Sequence, residues 1–205
     1  MSETPRFEPH LWTERSVEET LSVYKNWAAS YDEYIAARGY RTPARIANML
    51  TRFLPAQHGP VLDYGCGTGV SGEALANVGI GPLHGTDISQ EMIAVAESKG
   101  VYERLWKSEP EEAPARAGDY AAIVAAGVIS VGAAPPETVP LLTSCLAPGG
   151  LLVFSFNDPT LADGRFDACL QSTINDGTVA QVARETGPHL ENSVMNADVI
   201  LLRRL

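Results

Sequence analysis

The residues with most chemical potential lie in 61-VLDYGCGTGVSGEAL-75. An apolar pair runs into Asp63, and Gly65, Gly67 and Gly69 follow at alternate positions before a helix-like segment. Glycine at a strand-to-helix turn accepts positive φ and lets a ligand approach the backbone closely. The first N–H groups of the following helix are open to a carboxylate or phosphate. So many glycines exceed what a bare turn requires, and the stretch reads as a ligand cradle. A second carboxylate, Asp87, closes 82-PLHGTD-87.

Two nucleotide-type ligands compete for such a cradle. A G-x-G-x-x-G string threads through Gly67, Gly69 and Gly72, with Asp87 at dinucleotide spacing. That pattern sets its first glycine directly after an apolar strand, with pyrophosphate on the helix N-terminus. Here Asp63 ends the strand, and its carboxylate is expected to face the ligand. A carboxylate suits an ammonium or sulfonium, which points to S-adenosylmethionine rather than NAD.

The remaining reactive side chains are weighed singly. Of the four histidines, His84 falls inside a strand and reads as core; His10 and His58 fall in an arm and a turn. His189, in 187-GPHLEN-192 between the last two strands, is a weak candidate for a catalytic base facing a substrate pocket, its ordinary role being that of a loop residue. Cys66 sits in the glycine turn without a basic neighbour to lower its pKa, so it is no nucleophile. Cys66, Cys145 and Cys169 are an odd number with no C-x-x-C spacing, which excludes a disulfide framework and a structural zinc site; no metal is expected. Tyr24, Trp27, Tyr31 and Tyr34 recur at near-helical spacing, a core stripe that could also cover an adenosyl group.

The elements that must position these groups alternate. A capping box, Ser16 to Glu19, opens a helical region closed by Gly39. Thr42-Pro43 is expected to cap and open a helix whose stripe is Ile46, Met49, Leu50 and Phe53, stopped by Pro55. Strands are expected at 60–64, 82–87, 103–107, 119–127 and 151–156. Helices are expected over 70–78, over 90–99 after the cap Ser89, and from Pro135-Pro136 to Ala147. Residues 108–118 and 157–166 read as loops. After 166 come a helix and strands near 178–185 and 197–204. Strands alternating with helices imply right-handed βαβ units and a doubly wound, mostly parallel α/β sheet with its ligand at the carboxyl ends of the strands.

Bulk properties exclude several functions. The chain has 205 residues, 45% apolar and 20% charged, with net charge −10. Such acidity disfavours nucleic acid and anionic membranes as partners. MSETPRFEPHLWTERS has no apolar run and is not a signal peptide, and nothing approaches a membrane span, so a cytoplasmic location is expected.

VLDYGCGTG resembles the glycine-rich first motif of class I S-adenosylmethionine-dependent methyltransferases. The resemblance runs from about 20 to 156, and more weakly to the end. It implies a Rossmann-like fold, S-adenosylmethionine as cofactor and S-adenosylhomocysteine as product. It places Asp63, Gly65, Cys66, Gly67, Thr68 and Gly69 around the methionine moiety, Asp87 on the ribose and Ile88 against the adenine. Gly127, after the fourth strand, would line the methyl end. The stretch 27-WAASYDEY-34 is similar to the family's helical cap, which adds Trp27 and Tyr31 as cofactor contacts; Asp32 could join them or be a solvated helix charge. The turn 148-PGG-150 before the fifth strand is also shared. GTGVSGEAL, HGTDISQEMIAVAESKGVY and AGVISVG look closest to the Williams–Beuren-region methyltransferase-like group.

Two departures bear on substrate. In 105-LWKSEPEE-112 the adenine contact could be Ser108, Glu109 or neither. In place of the N/D-P-P-Y/F motif of enzymes that methylate amides or exocyclic amines, this chain has AGVISVG. The expectation is a single methyltransferase domain, 1–205, with residues 1–55 a helical lid segment and 56–205 the nucleotide-binding core. It would transfer a methyl group to a small-molecule acceptor, a protein substrate not being excluded. The alternative is a catalytically silent adenosyl-ligand-binding regulatory or scaffold protein.

Overall fold

The computed structural model describes residues 13, 15–28 and 30–205, with only the backbone of Tyr24 and Asn26. The N-terminal arm, His10 and the Tyr24 side chain lie outside the described residues.

Seven strands form one sheet in the order β3-β2-β1-β4-β5-β7-β6. They are β1 (Val61–Tyr64), β2 (Leu83–Asp87), β3 (Arg104–Lys107), β4 (Ala122–Ala125), β5 (Leu151–Asn157), β6 (Val179–Leu190) and β7 (Met195–Arg204). β1 to β5 pair in parallel, while β7 runs antiparallel to both β5 and β6. β1 and β4 are buried throughout, as befits parallel strands covered on both faces.

Alternation along each strand divides the core into two layers. Leu62, Ile123, Leu152 and Phe154 point to one side, where Val139 and Leu142 of α6 (Thr138–Ser144) and Phe166 and Leu170 of α8 (Arg165–Asn175) meet them. Val61, Val124, Val153 and Leu201 point to the other. There they meet Ile46, Met49 and Leu50 of α3 (Thr42–Phe53) and Leu75 of α4 (Val70–Asn77). α5 (Gln90–Ser98) begins as the sequence implies, with the Ser89 hydroxyl accepting from Met92 N–H. The Ser16–Glu19 box is formed reciprocally, at 2.9 Å and 3.2 Å. It opens α1 (Val17–Trp27), and α2 (Tyr31–Ala37) follows.

Four local expectations change. The N-terminal helical region is two helices. Thr42 lies within α3 rather than capping it; Arg41 is the N-cap, and the Thr42 hydroxyl bonds to His189 instead. The expected 157–166 loop contains α7 (Asp158–Asp163), because the Asn157 side chain accepts from Thr160 N–H and Pro159 suits a first turn. The last two strands run longer than expected, so His189 is a buried residue of β6 and not a loop residue.

Candidate cofactor and acceptor site

The site lies at the carboxyl ends of β1, β2 and β4, where helices α1 and α2 come over the sheet. A cavity of about 150 Å³ is bounded by Tyr64, Gly65 and Gly67 after β1, and by Asp87 and Ile88 at the end of β2. Gly127 and Val128 after β4 complete that wall, with Tyr31 and Thr20 from the helical segment above. Ser108 lines it too, whereas Glu109 is not among the residues on its wall. Glycine is required at two of these places. Gly65 has φ +67, and a Cβ there would collide with Val128. Gly127 has φ +71, and a Cβ would stand 2.5 Å from Tyr40 Oη.

Asp87 is anchored before any ligand arrives. Its Oδ2 accepts from Gly67 N–H and its Oδ1 from Ser89 N–H, each at 2.9 Å. Burial raises its pKa, against these backbone hydrogen bonds. The carboxylate keeps acceptor capacity beyond these bonds, and it stands on the cavity wall.

Asp63 is placed otherwise than expected. It is fully buried and does not border the cavity. Its Oδ2 accepts from Ser71 Oγ and Tyr102 Oη, both at 2.6 Å, and its Oδ1 has no partner among the described residues. Burial pushes its pKa up to about 6, against the two hydroxyl hydrogen bonds. The expectation that its carboxylate faces a cationic ligand is corrected by this geometry: Tyr102 and Ser71 enclose it below the turn. Cys66, Thr68 and Gly69 also lie off the cavity wall, in the turn itself. Burial raises the Cys66 thiol far above its ordinary range, which agrees with the reading that it is no nucleophile.

The carboxylate that does stand by the start of α4 is Asp32. Its Oδ1 accepts from Thr68 Oγ1 at 2.5 Å, and its Oδ2 pairs with Lys99 Nζ at 2.8 Å. Lys99 also reaches Glu73 at 2.6 Å. α2 is thereby tied to the glycine turn, a link for which the sequence offered only the Tyr-Asp string.

A second, smaller cavity of about 70 Å³ adjoins the first, sharing Tyr31, Gly127 and Ala133 with it. Trp27, Tyr34 and Tyr40 line it, together with Ser130, Asn157 and His189. Trp27 therefore belongs to this cavity and not the first. Its ring meets Tyr31 and Tyr34 edge-on at 4.8 Å and 4.7 Å. His189 Nδ1 lies 2.8 Å from Thr42 Oγ1, and burial with the nearby Arg45 charge lowers its pKa to about 4. His84, as expected, is a strand residue, bonded through Nδ1 to Tyr120 Oη at 2.9 Å.

A glycine turn after β1 and an acidic residue ending β2 are features of nucleotide-binding Rossmann-like sheets. The match is specific: a family model described as a methyltransferase domain covers residues 36–196, and the chain belongs to that family. Methyltransferase-like protein 27 of Homo sapiens is 35% identical over 139 residues, 64% of this chain and 55% of that protein. It is the counterpart of the subgroup resemblance. Malonyl-[acyl-carrier protein] O-methyltransferase of Halalkalibacterium halodurans is 34% identical over 111 residues, 48% of this chain and 39% of that protein. The chain thus spans about half or less of the length of these relatives.

Among solved structures, magnesium protoporphyrin IX methyltransferase from Synechocystis PCC 6803 with bound S-adenosylmethionine superposes with TM-score 0.68 at 16% identity. The match covers 94% of this chain and all of that one. A chain of the Haloferax volcanii complex between the Trm112 methyltransferase activator and a methyltransferase gives TM-score 0.69 at 16% identity, covering 88% and 97%. These likenesses bear out the doubly wound fold. No helix among the described residues is long and apolar enough to cross a membrane.

Proposed function

We propose that this chain transfers the methyl group of S-adenosylmethionine to a small-molecule acceptor. The observation that carries the reading is the joined pair of cavities. The larger lies against the glycine turn and Asp87, the smaller beyond Gly127, so that cofactor and acceptor meet where the two share walls. Family membership supplies the reaction class. Asp87 would accept from the ribose hydroxyls and Ile88 would lie against the adenine. Tyr31 would cover the adenosyl group from α2, and Gly127 would admit the methyl end. The backbone of Gly65 to Gly69 would hold the methionine portion, with Asp63 acting only through the turn it supports. Of residues up to 55, α1 and α2 would serve as the lid segment of one domain, while α3, packed against the sheet, belongs with 56–205 to its core.

Methyl transfer from a sulfonium is an in-line displacement, so the protein's main contribution is to hold the nucleophile about 3 Å from the methyl carbon.

Calorimetric titration with S-adenosylmethionine, S-adenosylhomocysteine and NAD tests the reading on wild type and Asp87→Asn. Each hydrogen bond to a charged group is worth about 1.5–3 kcal/mol, so the variant should bind both adenosyl ligands roughly 10- to 100-fold more weakly. NAD should not bind. Binding of NAD alone by folded protein overturns the proposal.

A further inference from the structure

We infer that the smaller cavity accepts an uncharged, flat acceptor bearing a hydroxyl group, a simple phenol being the minimal case, and that His189 takes the hydroxyl proton. This rests on the methyltransferase reading above and extends it to the acceptor's chemical class.

The walls argue the class. Trp27, Ile35 and Leu190 supply apolar wall, and the rings of Tyr31, Tyr34 and Tyr40 add aromatic carbon with hydroxyls. Ser130, Asn157 and His189 complete the uncharged polar lining. Among the described residues the cavity is lined by no Asp, Glu, Lys or Arg. A carboxylate acceptor would enter without a cation to meet it, and an ammonium without an anion, each losing hydration it cannot replace. An uncharged ring exchanges water for aromatic contact and leaves only its hydroxyl to satisfy. Charges close to its wall are engaged elsewhere: Arg45 donates to the carbonyls of Gly187, Pro188 and Ala197, Arg38 lies over the Tyr34 ring at 3.7 Å, and Asp158, whose charge reaches His189, accepts from Asn196 N–H at 2.8 Å.

The proton argues the residue. A hydroxyl becomes strongly acidic as its oxygen bonds to carbon, so a base within reach lowers the barrier. His189 is buried in the cavity wall, its ring packed edge-on to Tyr40 at 5.1 Å. Its Nδ1 is engaged by Thr42 at 2.8 Å. The base role requires the tautomer in which Nδ1–H is donated to Thr42 Oγ1 and Nε2 carries the lone pair. The imidazole is neutral at physiological pH, since its pKa is lowered to about 4. In the step, the acceptor oxygen bonds to the methyl carbon and the carbon–sulfur bond breaks. The electron pair returns to sulfur, giving the neutral thioether, and the hydroxyl proton passes to Nε2. The imidazolium then releases it to water. Thr42 is a positioning residue in this scheme.

The test uses protein first saturated with S-adenosylhomocysteine, titrated with p-cresol, benzoate and benzylamine. p-Cresol should bind at least tenfold more tightly than either charged analogue. Failure to saturate with the adenosyl ligand overturns the parent reading. Saturation followed by equal or better binding of benzoate or benzylamine, or by no binding of p-cresol, overturns the inference alone. With S-adenosylmethionine, methylation of p-cresol should fall at least tenfold in His189→Asn, and added imidazole should restore activity to His189→Gly. Undiminished turnover in a folded His189→Asn protein, or no rescue of a folded His189→Gly protein, removes the base assignment.

Discussion

Replacing Asp63 by Asn should change the pH dependence of stability in a direction opposite to the usual one for a carboxylate. Most native carboxylates are stabilised when ionised and lose stability in acid. Asp63 is fully buried with one oxygen unpartnered, and its pKa rises from 3.8 to about 6. Below about pH 4 both folded and unfolded chains carry the proton. Between about pH 4 and 6 the unfolded chain has lost it while the folded one retains it, so stability falls as pH rises. Above about pH 6 the loss is complete. A shift of roughly two units at about 1.4 kcal/mol each makes that loss about 3 kcal/mol. Urea unfolding followed by tryptophan fluorescence, on wild type and Asp63→Asn at intervals from pH 4 to 7.5, reads it. The stability difference between the two proteins should change by about 3 kcal/mol across that range, in favour of Asn at the higher pH. The neighbouring Asp87, also raised by burial, is present in both proteins and largely cancels. Tyr102→Phe removes one of the two hydroxyls that lower the Asp63 pKa, so its decline should continue to higher pH. A wild-type-minus-Asn difference that stays level within about 0.5 kcal/mol would refute the reasoning.

His189 should act with the opposite sign. Its folded pKa of about 4 lies below the ordinary 6.5, so stability is lost as pH falls from about 6.5 to 4, by about 3 kcal/mol. Its ring proton resonances should stay flat from pH 5 to 8, and a midpoint near 6.5 in folded protein rules this out. Gly127→Ala should cost about 1–2 kcal/mol in urea unfolding, from positive φ and from moving Tyr40 Oη; a change under about 0.3 kcal/mol would show the turn to be relaxed. Asp32→Ala should speed amide exchange in residues 31–37 while costing under about 1 kcal/mol globally, because Asp32 is partly exposed and Lys99 keeps Glu73 as a partner. Unchanged exchange there would mean that α2 is held by its apolar contacts alone.

The parallel core was legible because its signals are local. Ser89 caps α5, the Gly65–Gly69 turn follows β1, and β1, β4 and β5 are buried on both faces. Asp87 and Ile88 could be found because they end a strand whose place in the sheet follows from the βαβ pattern. His189 could not be placed. Its strand runs through Gly187 and Pro188, residues that ordinarily mark a turn, and pairing with β7 overrides them. The partner that fixes its ring, Thr42, is remote in sequence and looked like a helix cap. α7 carried its own signal, Asn157 before Pro159, in a stretch whose polar composition resembled a loop.

The glycines of the opening motif prove to have two separate purposes. Gly65 and Gly67 border the cavity, Gly65 making room for Val128 on its wall while Gly67 leaves its own side open. Gly69, Gly72 and Gly85 instead abut Tyr102, and a Cβ at each would crowd or strike its ring. Their bare backbones open a groove that the ring fills, delivering its hydroxyl to Asp63 from below the turn. This gives the dinucleotide-like spacing a structural account: Gly72 completes the string, and the group that approaches it is the protein's own tyrosine. It also explains why Asp63 sits in a ligand motif but not on the ligand's surface. Buried and bonded to Ser71 in α4 and to Tyr102 before β3, it pins the turn from beneath, and the cavity is shaped by the backbone it pins.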